Sequence, residues 1–233
     1  NIEILNGSQG TLYGGGSIGG VISLRSLLPN ETGLNQEHTL EGGSYGTIKN
    51  AHSIKFLNKN IKFVFNIDSE RSTGYHSFID TGLTHNDKDG YYLYGANFLS
   101  NFKINSNLEV NFNGRTYKQH NEYDDTYSYP GDSLVHFRDD KVTAFLLDFT
   151  YNHDNVSHKL TYQPTYTTRI STSGANYEYD GRKNKLEYLL SSNFFGINNL
   201  FGIDYLKKNA DMNGTLADHD IYSIFSEFKF KPT

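Results

Sequence analysis

The chain has 233 residues, 22 of them glycine, and its 21 basic and 26 acidic side chains give a net charge of −5. The absence of cysteine excludes a disulfide scaffold, a thiolate metal site and a cysteine nucleophile. The mildly acidic balance disfavours a protein built to bind nucleic acid. No run of about 18 apolar residues is present, which excludes a transmembrane helix. A membrane β-barrel stays possible, because its strands need apolar residues only at every second position.

The first 27 residues differ from the rest of the chain, since small and β-branched residues dominate there and charges are few. No basic segment leading into an apolar one opens the sequence, so we expect no signal peptide. The abrupt start leads us to expect a fragment of a longer protein. Among the small residues of this segment are Gly10, Gly14, Gly15, Gly16, Gly19 and Gly20.

From about His38 onward, segments of about ten residues alternate apolar with polar side chains. In one such segment Ile61, Phe63 and Phe65 share a face, while Lys62 and Asn66 lie opposite. The same period recurs around residues 92–102, 108–112, 145–151, 186–194, 201–205 and 222–230. A period of two predicts strands rather than helices. We therefore expect an all-β fold with about ten strands in this part of the chain.

The predicted connections alternate between short and long. Short turns are expected at 58–60, 105–107, 153–155 and 198–199, and long polar loops at about 69–89, 118–140, 170–183 and 209–218. This arrangement is typical of outer-membrane barrels, as are aromatic residues near the strand ends. Those aromatics are Tyr91, Tyr92, Tyr117, Tyr151, Tyr188, Tyr205 and Tyr222. The alternative is a soluble β-sandwich or lipocalin-like barrel, whose apolar face points inward and whose strands are shorter.

A specific motif lies near the start of the chain. Residues 2–14 read I-E-I-L-N-G-S-Q-G-T-L-Y-G, and residues 17–22 read S-I-G-G-V-I. This resembles the final stretch of the plug domain in TonB-dependent outer-membrane receptors, with Ser8 in place of the usual proline and Ser23-Leu24 in place of a closing N-I. The resemblance implies that residues 1–30 end a plug domain. Residues 31–233 would then form about the first ten strands of a 22-stranded transmembrane antiparallel β-barrel.

Two later segments resemble loops of the cobalamin receptor subfamily, where they bind calcium. Asp87 and Asp89 match its D-x-D carboxylates, and Tyr123 and Asp124 match its Tyr-Asp ligand pair. His85 stands where that subfamily supplies an amide oxygen. His76 replaces a further aspartate, for which Asp80 could substitute after a shift of register, and a later loop aspartate falls near His136. The resemblance thus implies a partly retained calcium site.

The chemistry of the retained residues suits calcium, which prefers six to eight oxygen ligands. Mg²⁺ fits less well because it requires a tighter octahedron and keeps its waters. The competing interpretation is that these acidic loop residues are simply solvated. The loop histidines, His76, His85, His120 and His136, make a transition-metal site conceivable, but no pair has H-x-x-x-H spacing, and scattered solvent histidines are favoured.

The function implied by the resemblance is active uptake of cobalamin or a related corrinoid across a bacterial outer membrane. Its partners would be the outer-membrane lipid and a TonB-type energy-coupling protein. One alternative is a TonB-dependent receptor for an iron-siderophore complex or haem. Another is a small non-transporting barrel or adhesin-like surface protein of ten strands. No catalytic triad, carboxylate pair or cofactor motif stands out, so we do not expect an enzyme.

Overall fold

This computed structural model describes residues 2–7, 19–24, 28–76, 88–124, 136–172, 175–194 and 196–230. In those ranges the chain forms twelve strands and a short 3-10 turn at Ser44–Gly46. The strands are β1 (Ile2–Asn6), β2 (Gly20–Leu24), β3 (Gly33–Gly42), β4 (Ile48–Leu57), β5 (Ile61–Tyr75), β6 (Asp89–Lys103), β7 (Leu108–Glu122), β8 (Phe137–His153), β9 (Val156–Thr172), β10 (Asn176–Phe194), β11 (Ile197–Met212) and β12 (Thr215–Phe230). Within the described ranges, no helix is long and apolar enough to cross a membrane.

The motif-bearing segment contributes a small sheet of its own. Strands β1 and β2 pair antiparallel, with Ile2 opposite Leu24 and Asn6 opposite Gly20. Gly20 has φ +140°, and a Cβ atom there would lie 2.5 Å from the carbonyl oxygen of Leu5. Only glycine fits this approach of two backbones without strain. The assignment of residues 1–30 to the end of a plug domain, with a boundary to the barrel near residue 30, stays a prediction.

Strands β3 to β12 form one ten-stranded antiparallel sheet in which every strand pairs with its neighbours in the chain. This confirms the predicted all-β meander of ten strands. In the described part of the chain, β3 and β12 stand at opposite ends of the sheet and do not pair with one another. The sheet is therefore not the closed ten-stranded barrel that one alternative required.

One side of the sheet, called the apolar face, carries a ladder of phenylalanines across five strands. Phe56, Phe63, Phe98, Phe112 and Phe145 follow one another with ring centroids 5.4, 5.9, 5.9 and 6.0 Å apart. These cross-strand pairs join side chains from β4 to β8, as the alternation of β5 and β8 predicts. Most of the sheet's exposed large hydrophobic side chains lie on this face.

The other side, called the polar face, buries side chains despite their polarity. Asn101, Asp140, Asp148 and Thr161 are each at most 8% exposed, whereas Phe145 on the apolar face is 40% exposed. A sheet that curves around its polar face produces this asymmetry, because side chains crowd on the concave side. A soluble barrel would bury its apolar face instead, so the arrangement favours a wall that turns its apolar face to lipid.

Aromatic pairs mark both ends of the apolar band. His158 packs between Tyr151 and Tyr188 near the short turns. Tyr205 stacks on Tyr222, with ring centroids 4.9 Å apart, at the other end of the apolar band. Two of the tyrosines expected in such girdles are placed differently. Tyr91 pairs with Asn121 and Tyr117 with Val142, which puts both on the polar face. Their inclusion in the girdles was wrong, because proximity to a strand end does not determine which face a residue occupies.

The short turns define one end of the sheet, called the turn end, and the opposite end is called the loop end. The expected turns at 58–60 and 105–107 are present, where Asn58 and Asn105 each accept two backbone N–H bonds at 2.7–2.9 Å. The turn expected at 198–199 was wrong, because both residues belong to β11, which begins at Ile197 directly after Gly196. Gly196, with φ +78°, provides the left-handed conformation there.

Two of the long loops predicted at the loop end were wrong. β9 continues to Thr172 and β10 begins at Asn176, while β11 ends at Met212 and β12 begins at Thr215. The strands therefore run through most of both predicted loops, because polar residues can continue a strand ladder when their backbone groups find partners. β5 and β7 run further than expected, to Tyr75 and Glu122, and most of the loops predicted beyond them lies outside the described residues.

Candidate functional site

The predicted calcium ligands divide between described and undescribed residues. Asp89 begins β6, and Tyr123 and Asp124 directly follow β7, which pairs with β6 through Tyr91 and Asn121. These three residues therefore come to neighbouring strand ends at the loop end of the sheet. The other predicted ligands, Asp80, His85 and Asp87, lie outside the described residues. The calcium site as a whole stays a prediction.

Metal-binding side chains do not converge in the ranges that the structure describes. No group of three or more His, Asp or Glu side chains there could hold a metal ion. Tyr123 has another role in the structure. Its hydroxyl donates a hydrogen bond to the carbonyl of Thr172 at 2.6 Å, and its backbone N–H donates to the carbonyl of His136 at 3.2 Å. Tyr123 thus ties the end of β7 to β8 and β9.

A charged cluster on the polar face lies near the loop end. The buried carboxylate of Asp140 accepts bonds from Arg138 Nε and from Arg169 Nε, both at 2.7 Å. Arg138 Nη2 adds a longer bond at 3.4 Å. Each arginine side chain is 44% exposed. Two guanidinium groups share one carboxylate, so the cluster carries a net positive charge and keeps spare N–H donors for an anionic partner.

A second network lies on the same face across β4, β5 and β6. Lys49 Nζ is 3.1 Å from a carboxylate oxygen of Glu70, and the Tyr91 hydroxyl donates a hydrogen bond to the same carboxylate. The register places Glu70, Leu93, Gln119, Asp140 and Arg169 in one continuous row across five strands. The two charged groups therefore belong to a single belt along the loop end of the polar face.

Nearer the turn end, polar side chains on this face are satisfied by each other. Asn101 Nδ2 donates to Asn111 Oδ1 at 2.7 Å, and Thr161 Oγ1 donates to Asp148 Oδ1 at 2.6 Å. Lys159 Nζ lies 3.3 Å from Asp148. These pairs bind adjacent strands together and leave little charge uncompensated.

Sequence reasoning missed the Arg138–Asp140–Arg169 cluster. Residues 138–140 were assigned to a long loop, and Arg169 lies 29 positions from Asp140. A signal was present in the sequence. Arg138 and Asp140 occupy even positions of β8, whereas Phe145 and Leu147 of the apolar face occupy odd positions. Extending the period of two into the polar segment identifies them as residues of the polar face.

No protein-family model matches the chain, and no curated protein matches it in sequence. Solved structures do match it in fold. The ferric-catecholate import receptor Fiu of Escherichia coli K12 superimposes with a TM-score of 0.69 at 14% identity, over 90% of this chain and 39% of that one. The ferric yersiniabactin uptake receptor FyuA of Yersinia pestis gives 0.65 at 11% identity, over 97% and 48% of the two chains. A variant of the ferric enterobactin receptor PfeA of Pseudomonas aeruginosa gives 0.68 at 11%, over 97% and 41%.

These structures are TonB-dependent outer-membrane receptors. The chain has the fold of a TonB-dependent receptor barrel. It spans less than half the length of each of these structures, so its ten-stranded sheet corresponds to part of such a barrel. The predicted fold class is thereby confirmed. The likeness concerns the fold alone, and it does not confirm the resemblance to cobalamin receptors in particular.

Proposed function

We propose that this chain is part of a TonB-dependent outer-membrane receptor that takes up an iron chelate, such as an iron-siderophore or iron-citrate complex. The observation that carries the proposal is the two-faced sheet, which exposes an apolar band on one side and buries polar and charged side chains on the other. Its fold is shared with receptors named for ferric catecholate, ferric yersiniabactin and ferric enterobactin. These neighbours are import receptors rather than enzymes, which supports a transport role.

In this proposal the apolar face contacts outer-membrane lipid and the polar face lines the barrel lumen. A 22-stranded barrel is wide enough to need a plug, and the β1–β2 hairpin would belong to that plug. The chelate would bind from the loop end, where the Arg138–Asp140–Arg169 cluster retains free donors. A TonB-type energy-coupling protein would then act on the plug so that the chelate can pass.

The test is growth of a bacterial strain that lacks its own iron-chelate receptors and expresses the full-length receptor. Under iron limitation we expect ferric catecholate or ferric citrate to restore growth, provided the energy-coupling protein is present. Haem serves as a third iron source, because it is the other alternative cargo. Restored growth without the coupling protein would indicate a passive pore and contradict the proposal, as would failure with every iron source.

A second candidate cargo is cobalamin, held with the help of calcium. The observation that favours it is the placement of Asp89, Tyr123 and Asp124 at neighbouring strand ends, as the loop resemblance requires. Asp87→Ala combined with Asp124→Ala should then weaken cobalamin binding by the full-length receptor in calcium and change little in chelator. Asp154→Ala, in an exposed short turn, is the control. Equal loss in both conditions would exclude the calcium role.

A further inference from the structure

Two lysines lie directly opposite each other on the polar face. Lys183 on β10 pairs in register with Lys208 on β11, and Lys208 pairs with His219 on β12. Like charges opposite one another on adjacent strands destabilise a sheet. The two ammonium groups therefore repel each other, and a negative charge between them would relieve that repulsion.

The described part of the chain supplies no such charge to the two lysines. Their sequence neighbours are paired: Lys185 forms an ion pair with Glu187, and Lys207, on the apolar face, lies 3.7 Å from Asp218. Among the described residues, neither Lys183 nor Lys208 forms an ion pair or a side-chain hydrogen bond. Both side chains are exposed on the polar face, so each keeps three donors available.

Small residues next to the lysines open a cavity. The adjoining row on the polar face reads Gly181, Ala210 and Ala217 across β10, β11 and β12. Together with Lys183 and Lys208 they line a cavity of about 440 Å³. Such a volume suits the charged end of a small ligand. Larger side chains in this row would fill the space.

Hydroxyl groups complete the lining. Tyr179 folds over Gly181, where a Cβ atom would overlap the tyrosine hydroxyl. Thr165 and Thr167 on β9 line the same cavity. The cavity thus combines two ammonium groups and an imidazole with three hydroxyl donors. Its one acidic lining residue, Asp218, belongs to the apolar face by register and lies 3.7 Å from Lys207. This is a donor set for anionic oxygens.

We propose that Lys183, Lys208 and His219 form a subsite on the lumen wall for the anionic oxygens of the transported chelate. This inference rests on the proposed function and narrows its substrate to negatively charged iron chelates. Lys183 lies seven residues from the start of β10, roughly 23 Å of strand from the loop end. The subsite therefore lies inside the lumen, where a chelate that has passed the rim would meet it.

The test measures equilibrium binding of iron-loaded probes to the full-length receptor. The probes are ferric tris-catecholate and ferric citrate, which are anionic, and a ferric tris-hydroxamate, which is neutral. Lys183→Gln with Lys208→Gln should weaken binding of an anionic probe by roughly 10- to 100-fold per lysine, the usual range for charge-assisted hydrogen bonds. Lys207→Gln is the matched control, since that residue neighbours Lys208 but lies on the apolar face.

The outcomes separate this inference from the proposed function. Loss of anionic binding in the double variant but not in Lys207→Gln supports the subsite, as does weaker wild-type binding at high salt. Anionic binding that is equal in the double variant and the control overturns the subsite while the transport function stands. Preference of the wild type for the neutral hydroxamate over the anionic probes likewise overturns the subsite and leaves the transport function standing. Failure of the wild type to bind any iron chelate overturns the proposed function as well.

Discussion

Replacing Leu147 by arginine tests which face of the sheet contacts lipid. Leu147 lies on the apolar face of β8, with Phe112 and Tyr162 as its register partners on either side. The next residue, Leu146, pairs with Asn113 and lies on the polar face. The two leucines are chemically identical and adjacent, so Leu146→Arg is a control for every effect except the face.

The expected cost follows from the depth of Leu147 in the apolar band. On the apolar face of β8 the polar positions nearest to it are Thr143 and His153, ten residues apart. That is about 33 Å of strand, or about 25 Å of membrane at a tilt of about 40°. Leu147 lies close to the middle of this span. Arginine at the midplane costs about 2–4 kcal/mol, a roughly 30- to 900-fold change in the folded-to-unfolded ratio.

The assay is reversible unfolding of the full-length receptor in lipid vesicles by denaturant, followed by tyrosine fluorescence and by electrophoretic mobility. Leu147→Arg should lower the free energy of unfolding by about 2–4 kcal/mol, and Thr143→Arg, at the edge of the band, by about 0–1 kcal/mol. Leu146→Arg should cost little, because its charge would face the polar lumen near Asp148. A cost for Leu146→Arg that equals or exceeds that for Leu147→Arg would show that the faces are reversed.

Three further predictions concern packing and the sheet ends. Gly202→Ala should destabilise the receptor by about 1–3 kcal/mol, because its methyl group would overlap the Phe225 ring. The control Gly42→Ala, in open space, should cost less than half a kcal/mol. Equal shifts of the thermal unfolding midpoint for the two variants would contradict the packing at Gly202. Asp140→Asn should lower the free energy of unfolding in denaturant by about 1–3 kcal/mol, whereas the control Asp154→Asn, at an exposed position, should not. Identical unfolding midpoints for the two variants would show that the ion pairs of Asp140 with its arginines contribute nothing to stability. The 233-residue chain expressed alone should aggregate through the open edges of β3 and β12, and light scattering from a monodisperse, ligand-binding monomer would refute this.

The strands could be predicted where one face is apolar and the other polar. Residues 61–67 and 145–151 show a period of two because their two faces meet different solvents. The same strands continue beyond the apolar band, where both faces are polar and the period vanishes from the sequence. Backbone pairing does not need apolar side chains, so β9 and β10 extend through a segment whose composition suggested a loop.

The candidate site was less predictable than the fold because it depends on register. Arg169 meets Asp140 only because β8 and β9 pair in one particular alignment, and a slip of one residue would move it to the other face. Lys183 and Lys208 come together for the same reason. The calcium prediction depended instead on a local sequence pattern. Because consecutive strands pair with one another, Asp89 and Tyr123 come to neighbouring strand ends whatever the exact register is.

The polar face separates charge along its length, although the chain as a whole is acidic. Toward the turn end, Asp148 and Lys159 neutralise each other. Toward the loop end, Asp140 is shared by two arginines, while Lys183 and Lys208 have no carboxylate among the described residues. Charges that line a low-dielectric wall focus their field into the enclosed space. The excess positive charge would therefore attract anions to the loop end of the polar face rather than to its turn end.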